Sequence, residues 1–287
     1  MLRKLENYYK PSSLQEALRL ADENTEGAKL IAGGTAVMAA KNNEVKTLID
    51  IKNTGTDKII KDENGVRAGA TVTIASLLES NEIKNYCGGL IYEAAYYIAS
   101  TPLRNMITLG GNIIQTFPWS DLPAALLLCG AELSVASKNN IRKLSYINAV
   151  KKHPSLAISK NEIVTEVLFP DLTSYTGKFT KFSQTNFDYA ILDAGVIAKI
   201  KDGAFEDIRF AVSAAGSLPQ LLSESAALLK GAPADDKGAA AKAARHAASE
   251  TIFTNDKRVS IEYKKEILPA LFERLIERVV KENKGGN

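Results

Sequence analysis

The alternation of apolar and polar positions divides the chain into short strands and amphipathic helices in irregular order. Leu14, Ala17, Leu18 and Ala21 recur at helical spacing behind Ser13 and Glu16, a capping box. Lys29-Leu30-Ile31-Ala32 reads as a short buried strand, Gly33-Gly34-Thr35 as a backbone turn, and Ala36 as the start of a helix. A strand over Thr47–Ile51 follows, then a hairpin about Asp62-Glu63-Asn64-Gly65. Thr73–Leu78 and Leu90–Ile98 carry a helical pattern, whereas Thr101–Ile114 is rich in small and turn-forming residues around Gly110-Gly111. A helix is expected after Asp121 through Leu128, a hairpin about Asn139-Asn140, and a strand over Glu162–Phe169 that Pro170 ends.

Beyond Asp171–Thr176 the pattern changes. Strands are expected at Thr180–Ser183, Gly195–Ile200 and Ala204–Ala214, the last two joined at Asp202-Gly203. Helices follow at Leu221–Leu229, Ala239–Ser249 and Ile261–Glu282. The last of these has Leu268, Leu271, Leu275 and Val279 on one face, and Gly285-Gly286-Asn287 reads as a fraying end. With no regular βαβ alternation the fold class is α+β.

Composition narrows the chemistry. The chain has 287 residues, 45% hydrophobic and 24% charged, with a formal net charge of +3. Its lysines are scattered rather than gathered in a stripe, which argues against nucleic acid as a partner. No run approaches the ~20 apolar residues of a membrane span, and Met1–Lys10 is largely polar and charged with no apolar run, so a cytoplasmic chain with no membrane partner is expected. Cys87 and Cys129 fall short of the thiolate set of an iron–sulfur cluster and read as isolated buried thiols, with one disulfide as the alternative. His153 and His246 stand far apart in sequence, and no metal ligand set is expected.

The glycines carry the strongest signal. No two stand at i and i+2, so the dinucleotide fingerprint G-x-G-x-x-G is absent, as is the G-x-x-x-x-G-K-[ST] phosphate loop. Two pairs lie in small, Thr-containing stretches: Ala32-Gly33-Gly34-Thr35 and Thr108-Leu109-Gly110-Gly111-Asn112. Glycine lets backbone N–H groups come close to a diphosphate, and Thr or Asn adds a side-chain donor. Each pair alone is also what a tight turn requires. Arg104, Asn105, Thr108 and Asn112 crowd polar groups beside the second pair, and Asp121 follows as a helix N-cap or an acceptor for ligand hydroxyls. Trp119, the single tryptophan, reads first as a core residue, with a position beside a flavin ring as the alternative because it follows the second glycine stretch closely.

These residues resemble a known family. The stretches Leu30–Thr35 (LIAGGT), Leu103–Ile113 (LRNMITLGGNI), Ser120–Pro123 (SDLP), Gly130–Leu133 and Asp256-x-Arg258-x-Ser260-x-x-Tyr263-Lys264 are similar to the FAD-binding (medium) subunit of the xanthine dehydrogenase and carbon monoxide dehydrogenase (molybdenum hydroxylase) family. The resemblance implies a two-subdomain FAD-binding fold (PCMH-type) over 1–172, with subdomains of about 1–55 and 56–172. A C-terminal antiparallel sheet with helices would follow over 173–287. It implies FAD as the cofactor. Leu30, Ile31, Ala32, Gly33, Gly34, Thr35, Ala36 and Val37 would surround the diphosphate, and Thr108, Gly110, Gly111 and Asn112 would form a second wall. Asp121 would hold the ribityl or ribose portion, Ile163 and Lys181 would approach the flavin, and no side chain would be catalytic. Electrons would arrive from an iron–sulfur subunit that drains a molybdopterin subunit, and leave to NAD or another acceptor.

The sequence departs from the family at Ala36, where Asp is frequent, at Gln220, where Arg is common, and at Gln184-Thr185, where a double Arg is often seen. Two alternatives stand beside this reading. One is a stand-alone MurB-like flavin reductase, whose Pro-Gly-containing segment is missing here. The other is a flavin-free structural subunit, for which the departures leave room.

Overall fold

The computed structural model describes residues 2–40 and 44–285; Gly286 and Asn287 of the expected fraying end lie outside the described residues. The contacts divide the chain into two units, each discontinuous in sequence. The first holds 1–80, 99–116 and 131–170, and the second holds 81–98, 117–130 and 171–287. The last passage from one to the other falls beside the composition change read at 171–176. The excursions at 81–98 and 117–130 join the C-terminal residues through contacts distant in sequence.

In the first unit, β1 (Asn7–Tyr9), β2 (Ala28–Ile31) and β3 (Thr47–Asp50) form a parallel sheet in the order β1-β3-β2. The helix Leu14–Glu23 packs Ala17, Leu18, Leu20 and Ala21 into a core with Ile49, Ile51, Ala136 and Ile163. Its capping box forms with a shift of one residue. Ser13 Oγ accepts from the Glu16 N–H, while the Glu16 carboxylate accepts from the Ser12 N–H and hydroxyl.

The larger sheet of this unit is antiparallel. Its strands are β4 (Ile59–Asp62), β5 (Gly65–Gly69), β6 (Glu132–Ala136), β7 (Ile141–Ser145) and β8 (Ile163–Pro170), in the order β4-β5-β8-β6-β7. The β4–β5 hairpin closes at Asp62↔Gly65, with Glu63 and Asn64 as the turn. The Asn139-Asn140 turn joins β6 to β7 through a Ser137 N–H to Asn140 carbonyl bond.

The second unit is built on β9 (Thr176–Phe182), β10 (Leu192–Lys201), β11 (Ala204–Ser213) and β12 (Gln220–Leu221), an antiparallel sheet in the order β12-β11-β10-β9. Asp202 (φ 50°) and Gly203 (φ 78°) both take left-handed backbone in the β10–β11 turn, the geometry a two-residue hairpin requires. The helix Ile261–Gly285 buries Leu268, Leu271, Leu275 and Val279 against this sheet, with Phe272 stacked on Phe210. Cys87 and Cys129 are buried thiols outside any disulfide among the described residues, and burial pushes the Cys87 thiol up to about 12. None of the described helices is long and apolar enough to cross a membrane.

Two motifs of the C-terminal half act as backbone clamps. Arg258 grips both oxygens of Asp256 and donates to the carbonyls of Tyr189 and Ala190, which pins the end of the β9–β10 loop. This clamp holds the Asp256 carboxyl well below the usual carboxylate range. Gln220 closes a two-bond ring on the backbone of Ile252.

Candidate functional site

The two glycine pairs of the first unit are built differently. Gly33 sits where two backbone segments almost touch. A Cβ on it would lie 1.7 Å from the Met106 carbonyl oxygen, so only glycine fits. Gly34 (φ 73°) takes the left-handed region and precedes the short helix Thr35–Ala39. Among the described residues, the N–H groups of Gly33, Gly34, Thr35, Ala36 and Val37 donate to no protein acceptor, and Leu30 through Val37 are half-buried. A partly buried run of unspent backbone donors is costly without an acceptor and suits a ligand rich in anionic oxygens.

The second pair is not a turn. Thr108 caps the helix Leu109–Ile114, and its hydroxyl accepts from the Gly111 N–H at 3.4 Å. The Leu109 and Gly110 N–H groups donate to the Val72 and Ala70 carbonyls, and the Asn112 N–H donates to the Thr108 carbonyl. Gly110 is buried, and a Cβ on it would lie 2.7 Å from the Ala70 Cβ. The backbone donors of this stretch are therefore committed to the protein. What it offers a ligand is shape at the exposed Gly111 and the side chain of Asn112, whose Oδ1 is buried with no partner among the described residues. Arg104, read as a polar group near the glycines, instead holds the Ala99 carbonyl at a left-handed turn.

This difference yields a discriminating variant. A Cβ at Gly111 meets only the Thr108 hydroxyl at 2.8 Å, and alanine is the better helix former. Gly111→Ala should therefore melt within a few degrees of the wild type, and Gly111→Leu close to that. A loss of cofactor from a Gly111→Leu chain that still folds would then report on the site itself. Full cofactor retention by Gly111→Leu would remove this stretch from the site.

Ile163 is 1% exposed and packs in the core beneath the helix Leu14–Glu23, so any role it has runs through the backbone at the start of β8.

Asp121 and Lys181 lie in the second unit. Asp121 occupies the N-cap position of the helix Leu122–Cys129, but its side chain caps nothing. Instead Lys181 Nζ stands 3.1 Å from Asp121 Oδ1, with side chains 4% and 9% exposed. The contact is an ion pair without hydrogen-bond alignment, since among the described residues Asp121 Oδ1 accepts no hydrogen bond. Lys181 also donates to the Tyr97 carbonyl at 3.3 Å. Burial pushes the Asp121 carboxyl up to about 6, with Lys181 pulling the other way.

Behind this pair lies a residue the sequence reading passed over. Asp193 is 0% exposed and is the ladder partner of Lys181 across β9–β10. Burial, and then the Asp121 charge, push its carboxyl well above the usual range. Its signal in the sequence was a single acid inside the apolar run Ile191–Ala198. Trp119, read first as a core residue, is half-buried between Phe117 (5.2 Å, interplanar 3°) and Tyr189 (4.9 Å), both exposed.

A diphosphate-bearing cofactor fits the donors of the first unit, and the comparisons with known proteins give it a name. Residues 3–172 match the family model described as "FAD binding domain in molybdopterin dehydrogenase", and 178–279 match "CO dehydrogenase flavoprotein C-terminal domain". The chain is 30% identical over 217 residues to the 6-hydroxypseudooxynicotine dehydrogenase complex subunit alpha of Paenarthrobacter nicotinovorans, covering 74% of this chain and 73% of that one. It is 26% identical over 277 residues to the carbon monoxide dehydrogenase medium chain of Afipia carboxidovorans, covering 95% and 96%. The solved structure of quinoline 2-oxidoreductase from Pseudomonas putida 86 has the same fold, with a TM-score of 0.91 at 21% identity over 98% of this chain and 99% of that one. The long family-model match and the FAD-specific description together decide the assignment: the chain belongs to the FAD-binding medium subunits of the carbon monoxide dehydrogenase and xanthine dehydrogenase type, oxidoreductases of the molybdenum hydroxylase family.

Proposed function

We propose that this chain is the electron relay of a cytoplasmic molybdenum hydroxylase complex. It would receive electrons from an iron–sulfur subunit that drains a molybdopterin subunit, and pass them to NAD or another acceptor. Bound FAD supplies the redox chemistry, exchanging electrons singly or in pairs. The chain's own residues bind and orient it, and none acts as acid, base or nucleophile. Leu30 through Val37 surround the diphosphate and direct the five unspent N–H groups of Gly33–Val37 at its oxygens. Thr108, Gly110, Gly111 and Asn112 form the second wall, with the Asn112 side chain supplying polar contact. Asp121, ionised beside Lys181, accepts from ribityl or ribose hydroxyls, and Lys181 fixes its orientation. Ile163 supports the site from the core.

The unspent donors at Gly33–Val37 carry this reading, because they give an anionic ligand a reason to bind where no Rossmann or Walker loop exists. The test is the visible absorbance of the purified chain, with the released chromophore identified by mass. About one FAD per chain is expected, and its loading should bring down iron–sulfur and molybdenum subunits when the chain is captured from its native cells. A colourless chain that takes up no added FAD would overturn the site assignment.

A further inference from the structure

The Ser213 hydroxyl carries one proton and faces two oxygens. Asp193 Oδ2 lies 3.2 Å away and the Ser120 carbonyl oxygen 3.3 Å away. If Asp193 is ionised, both oxygens are acceptors and one proton cannot serve them. Solvent cannot supply the missing donor readily, since Asp193, Ser213 and Ser120 are 0%, 3% and 7% exposed. If Asp193 is a carboxylic acid the count closes: its O–H donates to Ser213 Oγ, and the Ser213 O–H donates to the Ser120 carbonyl. The other oxygen, Asp193 Oδ1, is buried without a partner among the described residues, a heavy cost for a carboxylate and a lighter one for the carbonyl of a neutral acid.

The charges around it agree. Lys181 faces Asp193 from β9, and Asp121 competes for the same ammonium from the entry to the helix Leu122–Cys129. Two carboxylates and one lysine in a dry site favour one proton shared among the acids. From the end of the helix Leu90–Tyr96 comes the Tyr97 phenol, which is itself pushed up, chiefly by burial. On the helix Ile261–Gly285, Lys264 is committed to Asp256 and the Ala214 carbonyl, and Arg278 to Glu93, so neither cation neutralises Asp193.

We infer that Asp193 is a neutral carboxylic acid at neutral pH and serves as a positioning residue, leaving Asp121 as the one carboxylate that the Lys181 ammonium pairs with. Its bearing on the cofactor rests on the reading above, in which Asp121 accepts ligand hydroxyls. The protonation state itself does not rest on that reading. Were Asp193 to ionise, Lys181 would be shared between two acids and Asp121 would lose its fixed partner.

Two measurements separate the claims. In the infrared spectrum of the full chain at pH 7 without flavin, a carboxylic acid C=O band is expected. It should be present in the wild type and in Asp121→Asn and absent from Asp193→Asn. In Ser213→Ala, which keeps the acid and removes its acceptor, the band should persist at higher wavenumber. No band at pH 7, or a band removed by Asp121→Asn instead, overturns the inference. The second measurement is FAD affinity against pH. Affinity should fall about tenfold per pH unit below about 6 as Asp121 takes up its proton. The midpoint of that fall should be unchanged in Asp193→Asn, because an acid that is already neutral exerts no charge on Asp121. A midpoint lowered by a unit or more would show that Asp193 was ionised and overturn the inference. Wild-type affinity in Asp121→Asn would overturn only the cofactor role of Asp121, and the infrared result would still decide Asp193.

Discussion

Gly33→Ala should give a chain whose first unit melts at markedly lower temperature and which binds FAD at least about two orders of magnitude more weakly, a loss of about 2.7 kcal/mol. The cause is a single distance. The added Cβ would fall 1.7 Å from the Met106 carbonyl oxygen and 2.7 Å from its carbonyl carbon. Both are backbone atoms, so no side-chain rotation relieves the overlap, and the segment carrying Met106 must move bodily. That segment continues into Thr108, Leu109, Gly110 and Asn112, where the Leu109 and Gly110 N–H groups donate to the Val72 and Ala70 carbonyls and the Asn112 N–H to the Thr108 carbonyl. Displacement therefore disturbs both proposed walls at once. Overpacking against fixed backbone costs about 3 kcal/mol or more at such a site. Gly34→Ala is the comparison. Its Cβ would meet the Ile31 side chain, Cδ1 at 3.2 Å and Cγ1 at 3.6 Å, and the strain is that of a left-handed alanine at φ 73°, about 1 to 2 kcal/mol. Calorimetric melting with an FAD titration separates the two. A Gly33→Ala chain that melts like the wild type would mean the two segments do not meet as closely as described.

How much of this was legible in the sequence depends on how local the cause is. The hairpins at Asp62–Gly65, Asn139-Asn140 and Asp202-Gly203 were readable because turn chemistry sits in two or three adjacent residues. The long C-terminal helix was readable because its buried face repeats over many turns. The helix Leu109–Ile114 was not, because two glycines argue for a turn. Thr108 and the carbonyls of Ala70 and Val72, distant in sequence, hold it in place. The same limit hid the joining of 81–98 and 117–130 to the C-terminal residues.

The site shows a similar division. The glycine stretches announced themselves by composition, and the family resemblance supplied their role. Which pair keeps its N–H groups unspent depends on tertiary hydrogen bonds that composition does not encode. Asp121 was placed correctly at a helix entry, yet the choice between capping and pairing was made by Lys181 on a distant strand. Asp193 was passed over because a lone acid in an apolar strand is unremarkable until its neighbours across the sheet are known.

Removing Lys181 is the second variant with a large expected effect. Lys181→Met keeps the length and apolar stem of the side chain but takes from Asp121 its only ion-pair partner among the described residues, and the Asp121 side chain is 9% exposed. Leaving a buried charge uncompensated costs about 3–5 kcal/mol. The pH dependence fixes the mechanism. In the unfolded chain an aspartate ionises near 3.8, whereas in the folded chain Asp121 is already pushed up to about 6. Without the downward pull of Lys181 it rises further. Between the unfolded and folded values the folded state binds more protons, so stability falls as pH rises through that window. Lys181→Met should therefore be close to wild type near pH 4 to 5, where Asp121 can stay neutral at little cost, and should show its full deficit by about pH 8. Adding Asp121→Asn should restore most of the loss at pH 8, because the charge that lacked a partner is gone and the neutral Asp193 needs none. The deficits would then be far from additive, as expected for groups in contact. Denaturant unfolding of the four chains at pH 5 and pH 8 measures this cycle. A deficit of equal size at both pH values would assign the loss to packing rather than to the ion pair.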